Sequence, residues 1–240
     1  MPPTLNDVRR DMLDFARRLE DNGAPKAKAW DAAVKVGRLM ATRVVTADLC
    51  NPVRCTACPI CDEEPEALQH AGSGNPSARI VLVGQGAGEH EGKYALPFVG
   101  IAGTFLTMAL EEAGIPRETV WLTNTIRCRP KDNRSPVPAE TVICMERYLY
   151  PEIDIIKPAV IVALGLSALS SLVSPLPSSR MSDLRGQTFV ATIRGHDYMV
   201  MATYHPAYAV RKHGSGFQSV CAAVVSDLAR ARDLARAGGE

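Results

Sequence analysis

The side chains best suited to chemistry in this sequence are thiols. Cys55 and Cys58 form a C-x2-C pair in a polar, Pro-bearing stretch, while Cys128 follows an apolar run and Cys144 lies within a helical one. Two separated pairs that could supply four thiolates suit an iron–sulfur cluster or a structural zinc equally well, and spacing alone does not choose the metal. Cys61 extends the pair to C-x2-C-x2-C and competes as a ligand, as does Cys50, whereas Cys221 falls on an apolar helical stripe and reads as core. Seven cysteines are an odd number, which in a reducing compartment argues for ligands and core thiols rather than a disulfide framework.

A second concentration of chemistry is Arg79 to Gly103, RIVLVGQGAGEHEGKYALPFVGIAG. A β-branched run stops at Gly84, Gln85, Gly86, Ala87 and Gly88, and a proline-led aromatic, Phe98, follows. Two phosphate-binding readings fail. A dinucleotide fingerprint needs a third glycine where Glu89 stands, and no Lys-Ser or Lys-Thr follows to make a Walker loop. Glu89 and Glu91 would also repel a pyrophosphate. What remains is backbone that can approach something flat and neutral, beside a ring able to stack on it, and a nucleobase fits.

These residues need a scaffold, and the hydropathy pattern supplies one. Apolar runs at Arg79 to Val83, Val120 to Ile126, Ala159 to Leu164 and Tyr198 to Thr203 alternate with helical stretches at Ala102 to Ala113, Ala139 to Ile156 and Leu166 to Val173. Strands apolar on both faces, separated by helices, predict a parallel sheet covered on both sides. Ligands of such sheets bind outside the carboxyl ends of the strands. The ends here read GQGAGEHE, TNTIRCRP, GLSA and TYHPAY, which brings Gln85, Asn124 and His205 toward one pocket. Two further helices are expected before Val45, the first with Thr4 and Asp7 as a capping box and Leu5, Val8, Met12, Phe15 and Leu19 on one stripe, the second about Pro25 to Val45. A last helix runs roughly from Gly216 to Ala235. The division expected is an N-terminal helical extension over residues 1–49 and one domain over 50–240.

The formal charge is +1 over 240 residues, which argues against coating long tracts of nucleic acid by charge but not against gripping a few phosphates. No stretch of about 20 apolar residues occurs, and the opening MPPTLNDVRRDMLDF has no signal-peptide core. A soluble, cytoplasmic, monomeric protein with no membrane partner is expected.

Taken in order, Gly84-x-x-x-Gly88-x-x-Glu91, Pro97-Phe98-Val99-Gly100-x-Ala102-Gly103, Thr123-Asn124-x-x-x-Cys128-Arg129-Pro130, Asn133-Arg134-x-Pro136, the helix with Cys144, and Tyr204-His205-Pro206 resemble the iron–sulfur (type 4) uracil-DNA glycosylases. The likeness runs from about Cys55 to the last helix. It implies an α/β/α sandwich on a short, mostly parallel four-stranded sheet, a [4Fe–4S] cluster, and hydrolysis of the N-glycosidic bond of deoxyuridine in DNA. By the same resemblance Cys55, Cys58, Cys128 and Cys144 match the cluster ligands, Phe98 the ring that stacks on uracil, Asn124 the amide that reads its polar edge, His205 the histidine near O2, and Glu91 an acidic residue implicated in activity. The first motif departs from the family. Gln85 stands for a carboxylate, Ala87 for a proline and Ala95 for a glycine, and Gly86 occupies the position that carries a water-activating aspartate in other glycosylase families.

The expected catalytic set is therefore His205, Glu91 and Gln85, with Gly84 to Gly88, Phe98 and Asn124 binding the base and Lys131, Arg134 and Lys212 contacting single- or double-stranded DNA. The altered first motif keeps one alternative open: a catalytically weak homologue that binds uracil-containing or damaged DNA.

Overall fold

The computed structural model describes residues 3–46, 55–63 and 69–237, so Cys50 lies outside the described residues. Helices α1 (Leu5–Asp21) and α2 (Lys26–Thr46) open the chain, followed by a short α3 (Ile60–Glu63). The cap expected at Thr4 is present: its Oγ1 accepts the Asp7 N–H at 3.2 Å, and Asp7 Oδ2 accepts the Thr4 N–H at 2.8 Å. Gly23 ends the first helix at φ 109°, a value open to glycine at no steric cost.

The sheet has six strands: β1 (Ser73–Gly74), β2 (Ile80–Gly84), β3 (Trp121–Asn124), β4 (Val160–Leu164), β5 (Thr188–Ile193) and β6 (His196–Thr203), in the spatial order β1-β3-β2-β4-β6-β5. The four central strands are parallel and correspond to the four apolar runs. The expected four-stranded sheet is corrected at both edges. A two-residue β1 pairs antiparallel with β3, and β5 returns antiparallel on β6 through Arg194-Gly195, both at positive φ. Edge strand β5 is half solvated and alternates exposed with buried residues, so it lacks the continuous apolar run of a buried parallel strand.

Helices α4 (Glu89–Tyr94) and α5 (Ile101–Glu112) connect β2 to β3. Between β3 and β4 the expected single helix is three joined pieces, α6 (Pro138–Cys144), a π-helical turn Met145–Leu149 and α7 (Tyr150–Ile156). Pro151 explains the interruption: it has no N–H to donate to the preceding turn, and a wider turn accommodates the loss. Helices α8 (Leu166–Leu172), α9 (Met181–Leu184), α10 (Pro206–Ala209) and α11 (Gly214–Ala237) complete the chain.

Alternate strand residues feed two cores. Ile80, Leu82, Leu122, Val160 and Val162 meet α5 and α11 on one face, while Val81, Val83, Ile161 and Ala163 meet α7 and α8 on the other. The N-terminal helices join the first face, where Leu19, Ala29 and Ala32 are buried in the same cluster. The connection after β2 runs to the first face and that after β4 to the second. The sheet therefore opens a crevice between their carboxyl ends, where α/β proteins bind ligands.

Candidate active site

A cavity of about 430 Å³ fills that crevice, lined by residues from all four central strand ends. Gln85 to Gly88 come from the β2 end, Asn124 and Ile126 from β3, Leu164 to Ser167 from β4 and His205 from β6, with Glu91 and Phe98 from the loop around α4. The structure thus brings together every base-binding residue expected from the sequence except Gly84, which sits just behind, paired with Asn124 in the β2–β3 register.

Gly84 earns its lack of a side chain. A Cβ there would stand 2.3 Å from Asn124 Oδ1 and 2.6 Å from Phe98 Cζ, so only glycine lets the amide and the ring close on each other. Gly86 is similarly shut in, with Ile126 Cγ1 2.7 Å from where its Cβ would be. A side chain at 86 would have to displace Ile126 before it could reach a water.

Phe98 is 5% exposed and held at φ 53°, a backbone state that costs a non-glycine residue on the order of 1–3 kcal/mol. Two groups hold it there. Glu91 Oε1 accepts the N–H groups of Val99 and Gly100, both at 2.9 Å. From behind, the buried Arg117 donates to the carbonyls of Phe98 (2.9 Å), Pro97 (3.2 Å) and Gly103 (3.3 Å) and to Thr107 Oγ1 (2.7 Å). Burial pulls the Arg117 pKa down to about 10, which still leaves it charged at neutral pH. Ala95, one of the departures in the first motif, is also left-handed at φ 52°, which is why a glycine suits that place.

His205 faces Phe98 across the cavity, ring centroids 6.4 Å apart and planes tilted by 38°. It caps α10 through Nδ1, which accepts the Ala207 N–H at 3.1 Å. Burial, with the charge of Arg211 nearby, lowers its pKa to about 4. The imidazole is therefore neutral at physiological pH, and because Nδ1 is an acceptor its one proton is on Nε2.

Asn124 is 3% exposed. Its Nδ2 contacts His70 Nε2 at 3.1 Å, while its Oδ1 is buried and, among the described residues, accepts no hydrogen bond. Such an orphan normally signals a strain reservoir or a missing ligand.

The residues expected at DNA divide. Lys131 is exposed and Lys212 half-buried, its Nζ 4.8 Å from the Tyr208 ring. Arg134 lines the cavity, but its guanidinium bonds both Glu63 and Glu140, an arrangement that ties α3 to α6. Exposed Arg211 also lines the cavity. Arg211, Arg117 and His70 were not singled out from sequence. The run Arg211-Lys212-His213 was the signal for the first; the other two carry none, because their partners are set by the fold.

The cysteines gather beyond the β3 end. Cys58 and Cys128 pack against a small apolar cluster of Ile60, Ile126 and Cys144. Cys55 Sγ accepts the Ala57 N–H at 3.4 Å. Amides of Ile60 and Cys61 point at the Cys58 sulfur, and Arg127 donates to that of Cys144. Burial and then the neighbouring thiols push Cys128 up to about 12, and burial pushes Cys144 to about 11. Among the described residues no three Cys, His, Asp or Glu side chains form a group that could hold a single metal ion. Four cysteines around a partly apolar space, three of their sulfurs facing backbone amides, fit a polynuclear cluster in which each metal takes one thiolate. Cys61 is buried and donates its thiol to the Cys58 carbonyl at 3.1 Å.

No helix among the described residues is long and apolar enough to cross a membrane. Comparison with known proteins adds to the geometry. The family model of the uracil DNA glycosylase superfamily matches residues 71–229. A type-4 uracil-DNA glycosylase of Thermotoga maritima is 39% identical over 186 residues, 78% of this chain and 92% of that protein. Those of Sulfurisphaera tokodaii and Pyrobaculum aerophilum are 37% and 35% identical over 161 and 160 residues, in each case 66% of this chain and 72% and 80% of theirs. Fold, cavity and relatives agree, and the chain belongs to the uracil DNA glycosylase superfamily, among its type-4 members.

Proposed function

We propose that this protein excises uracil from DNA by hydrolysing the N-glycosidic bond of an extruded deoxyuridine, leaving an abasic site. The observation that carries the reading is the buried, unpartnered Oδ1 of Asn124 on the wall of a cavity that also holds Phe98 and His205. An orphaned acceptor asks for a donor, and N3–H of uracil is one.

Extrusion costs a few kcal/mol of stacking. Phe98 returns part of it by stacking on the base, worth on the order of 1–3 kcal/mol. When C1′–N1 breaks, the bonding pair leaves with the uracil and positive charge develops on the sugar. His205 Nε2–H donates to O2 as negative charge builds on the departing uracil, an interaction stronger in the transition state than in the ground state. Water then adds at C1′ and its proton ends on the departed uracil anion, leaving neutral uracil and the C1′ hydroxyl of the abasic sugar. Gly86 offers no carboxylate, so Gln85 and Glu91 Oε2, which faces Gly88, position that water. Lys131, Arg211 and Lys212 contact phosphates near the mouth, and Arg134 shapes the loop between them.

Cys55, Cys58, Cys128 and Cys144 would hold a [4Fe–4S] cluster, which supplies a covalent tie between the α3 loop and α6 and is not needed for electron transfer in a hydrolysis. One chain completes the pocket, so a monomer suffices.

The test is single-turnover cleavage, with enzyme in excess, of single- and double-stranded oligonucleotides carrying one uracil, followed by alkali. Cleavage at uracil alone is expected. Intact oligonucleotides, with iron present and about 400 nm absorbance retained, would favour a binding role over catalysis.

A further inference from the structure

A carboxamide presents a donor and an acceptor of nearly equal size, and turning it over exchanges them. A site that reads a base with one asparagine needs something to forbid the turn. Behind this pocket the candidate is His70, which contacts Asn124 without lining the cavity. It is 1% exposed, with its main-chain N–H on the Arg127 carbonyl at 3.3 Å. Its Nδ1 lies 3.2 Å from the Ala71 carbonyl, and its Nε2 lies 3.1 Å from Asn124 Nδ2.

A carbonyl can only accept, so the hydrogen of the neutral ring is on Nδ1 and Nε2 carries a lone pair. Burial lowers the pKa of His70 to about 4, which keeps it in that neutral form. A lone pair at Nε2 requires an N–H opposite. The Asn124 end that faces His70 is therefore NH2, and the end left over is the unpartnered Oδ1. Turning the amide would set two lone pairs against each other in a buried place.

We propose that His70 is the positioning residue that locks the Asn124 amide in its uracil-reading orientation and so excludes cytosine. Uracil offers N3–H to Oδ1 and O4 to the second Nδ2 hydrogen. Cytosine offers a bare N3 and an amino group, and pairs only with the turned amide that His70 forbids. The inference rests on the uracil-excision reading and names the residue that sets base choice within it.

His70→Gln and His70→Leu test it. Glutamine keeps a hydrogen bond to Asn124 but can turn together with it; leucine removes the acceptor. Both should lower the uracil-to-cytosine ratio of kcat/KM at least about tenfold, as a fixed buried hydrogen bond becomes an adjustable or absent one. A structural role alone would reduce both rates in proportion, with glutamine near wild type. An unchanged ratio in both variants, with wild type cleaving at uracil, overturns the assignment. The tautomer is read separately from activity, by imidazole 15N shifts of the wild-type holoprotein at neutral pH. Protonated Nδ1 and bare Nε2 are expected, and a proton on Nε2 would also overturn it. Failure of wild type to cleave at uracil would instead sink the excision reading, and the 15N shifts would still decide the orientation of Asn124.

Discussion

Since Nδ1 of His205 already accepts the Ala207 amide, the only proton this neutral imidazole can offer a ligand is on Nε2. Removing it in His205→Ala should lower single-turnover excision by about 10²–10³-fold, the usual effect of deleting one donor to a developing oxyanion. Iron content and thermal stability should stay close to wild type. An unchanged rate would take His205 out of the mechanism. The neutral state also sets a pH dependence. The working form is unprotonated and its pKa is about 4, so the rate should show no limb near the ordinary histidine value of 6.5 and fall only as pH drops toward 4. A limb near 6.5 in the single-turnover profile would mean that substrate binding restores an ordinary histidine. Gln85, Asn124 and His205 were legible in sequence because each stands at the polar end of an apolar run. His70 and Arg117 were not. The partners of Arg117 are three carbonyls and a threonine hydroxyl 10–20 residues away, and its own neighbourhood, Pro116-Arg117-Glu118, reads as a solvated turn.

The Pro97–Phe98 loop carries the stacking ring, yet its own residues do little to hold it in place. Its geometry is imposed by Glu91 on α4 from one side and by Arg117 from the other, and α4 is in turn braced by α1. Asp11 of α1 is 7% exposed and binds Lys93 Nζ at 2.9 Å and the Tyr94 hydroxyl at 2.7 Å, while Phe15 meets His90 edge-on at 4.8 Å. The N-terminal helices thus reach the active site through one short helix. Arg117→Met would leave buried carbonyls without donors, at about 1–3 kcal/mol. It should lower Tm and raise KM for uracil-containing DNA more than it lowers kcat, because a loosened Phe98 binds the base less well. A lowered Tm with unchanged KM would confine Arg117 to folding. At this scale the sequence showed the four buried strands and most helices, since continuous apolar runs and a 3.6 period are strong signals. It hid the β5–β6 hairpin because Arg194-Gly195 is an unusual turn pair and β5 faces water on one side. It also did not show that the helical extension shares the core of the sheet, which depends on packing between residues far apart in the chain.

For the molecule as a whole, the cysteine group and the cavity hang on the same strand, β3, with Asn124 at its end and Cys128 four residues on. Cys128→Ala should therefore lose iron, lower Tm and weaken excision together; full iron stoichiometry with wild-type stability would point to Cys61 or Cys50 as a ligand. Acid should act on a different part of the structure. His70 and His205 are both held near a pKa of about 4 against 6.5 for a free imidazole. Between those values the unfolded chain binds protons that the folded one does not, so stability must fall as pH falls, by up to about 1.4 kcal/mol per pH unit for each histidine. Above 6.5 neither state is protonated and the slope vanishes. Glu63 and Glu140, held below the usual carboxylate range by Arg134, lose their contribution only at lower pH, as they protonate below about 4.3. The histidine window is sampled by denaturant unfolding of the holoprotein at pH 4.5, 5.5, 6.5 and 7.5, about one unit apart to follow the expected slope and all above the range in which the two glutamates protonate. The expected result is a steep loss across the lower three points that a His70→Gln, His205→Gln double variant flattens, since neither glutamine titrates. A double variant with the wild-type slope would locate the acid sensitivity outside the pocket, and would mean that the two imidazoles can protonate without leaving the folded state.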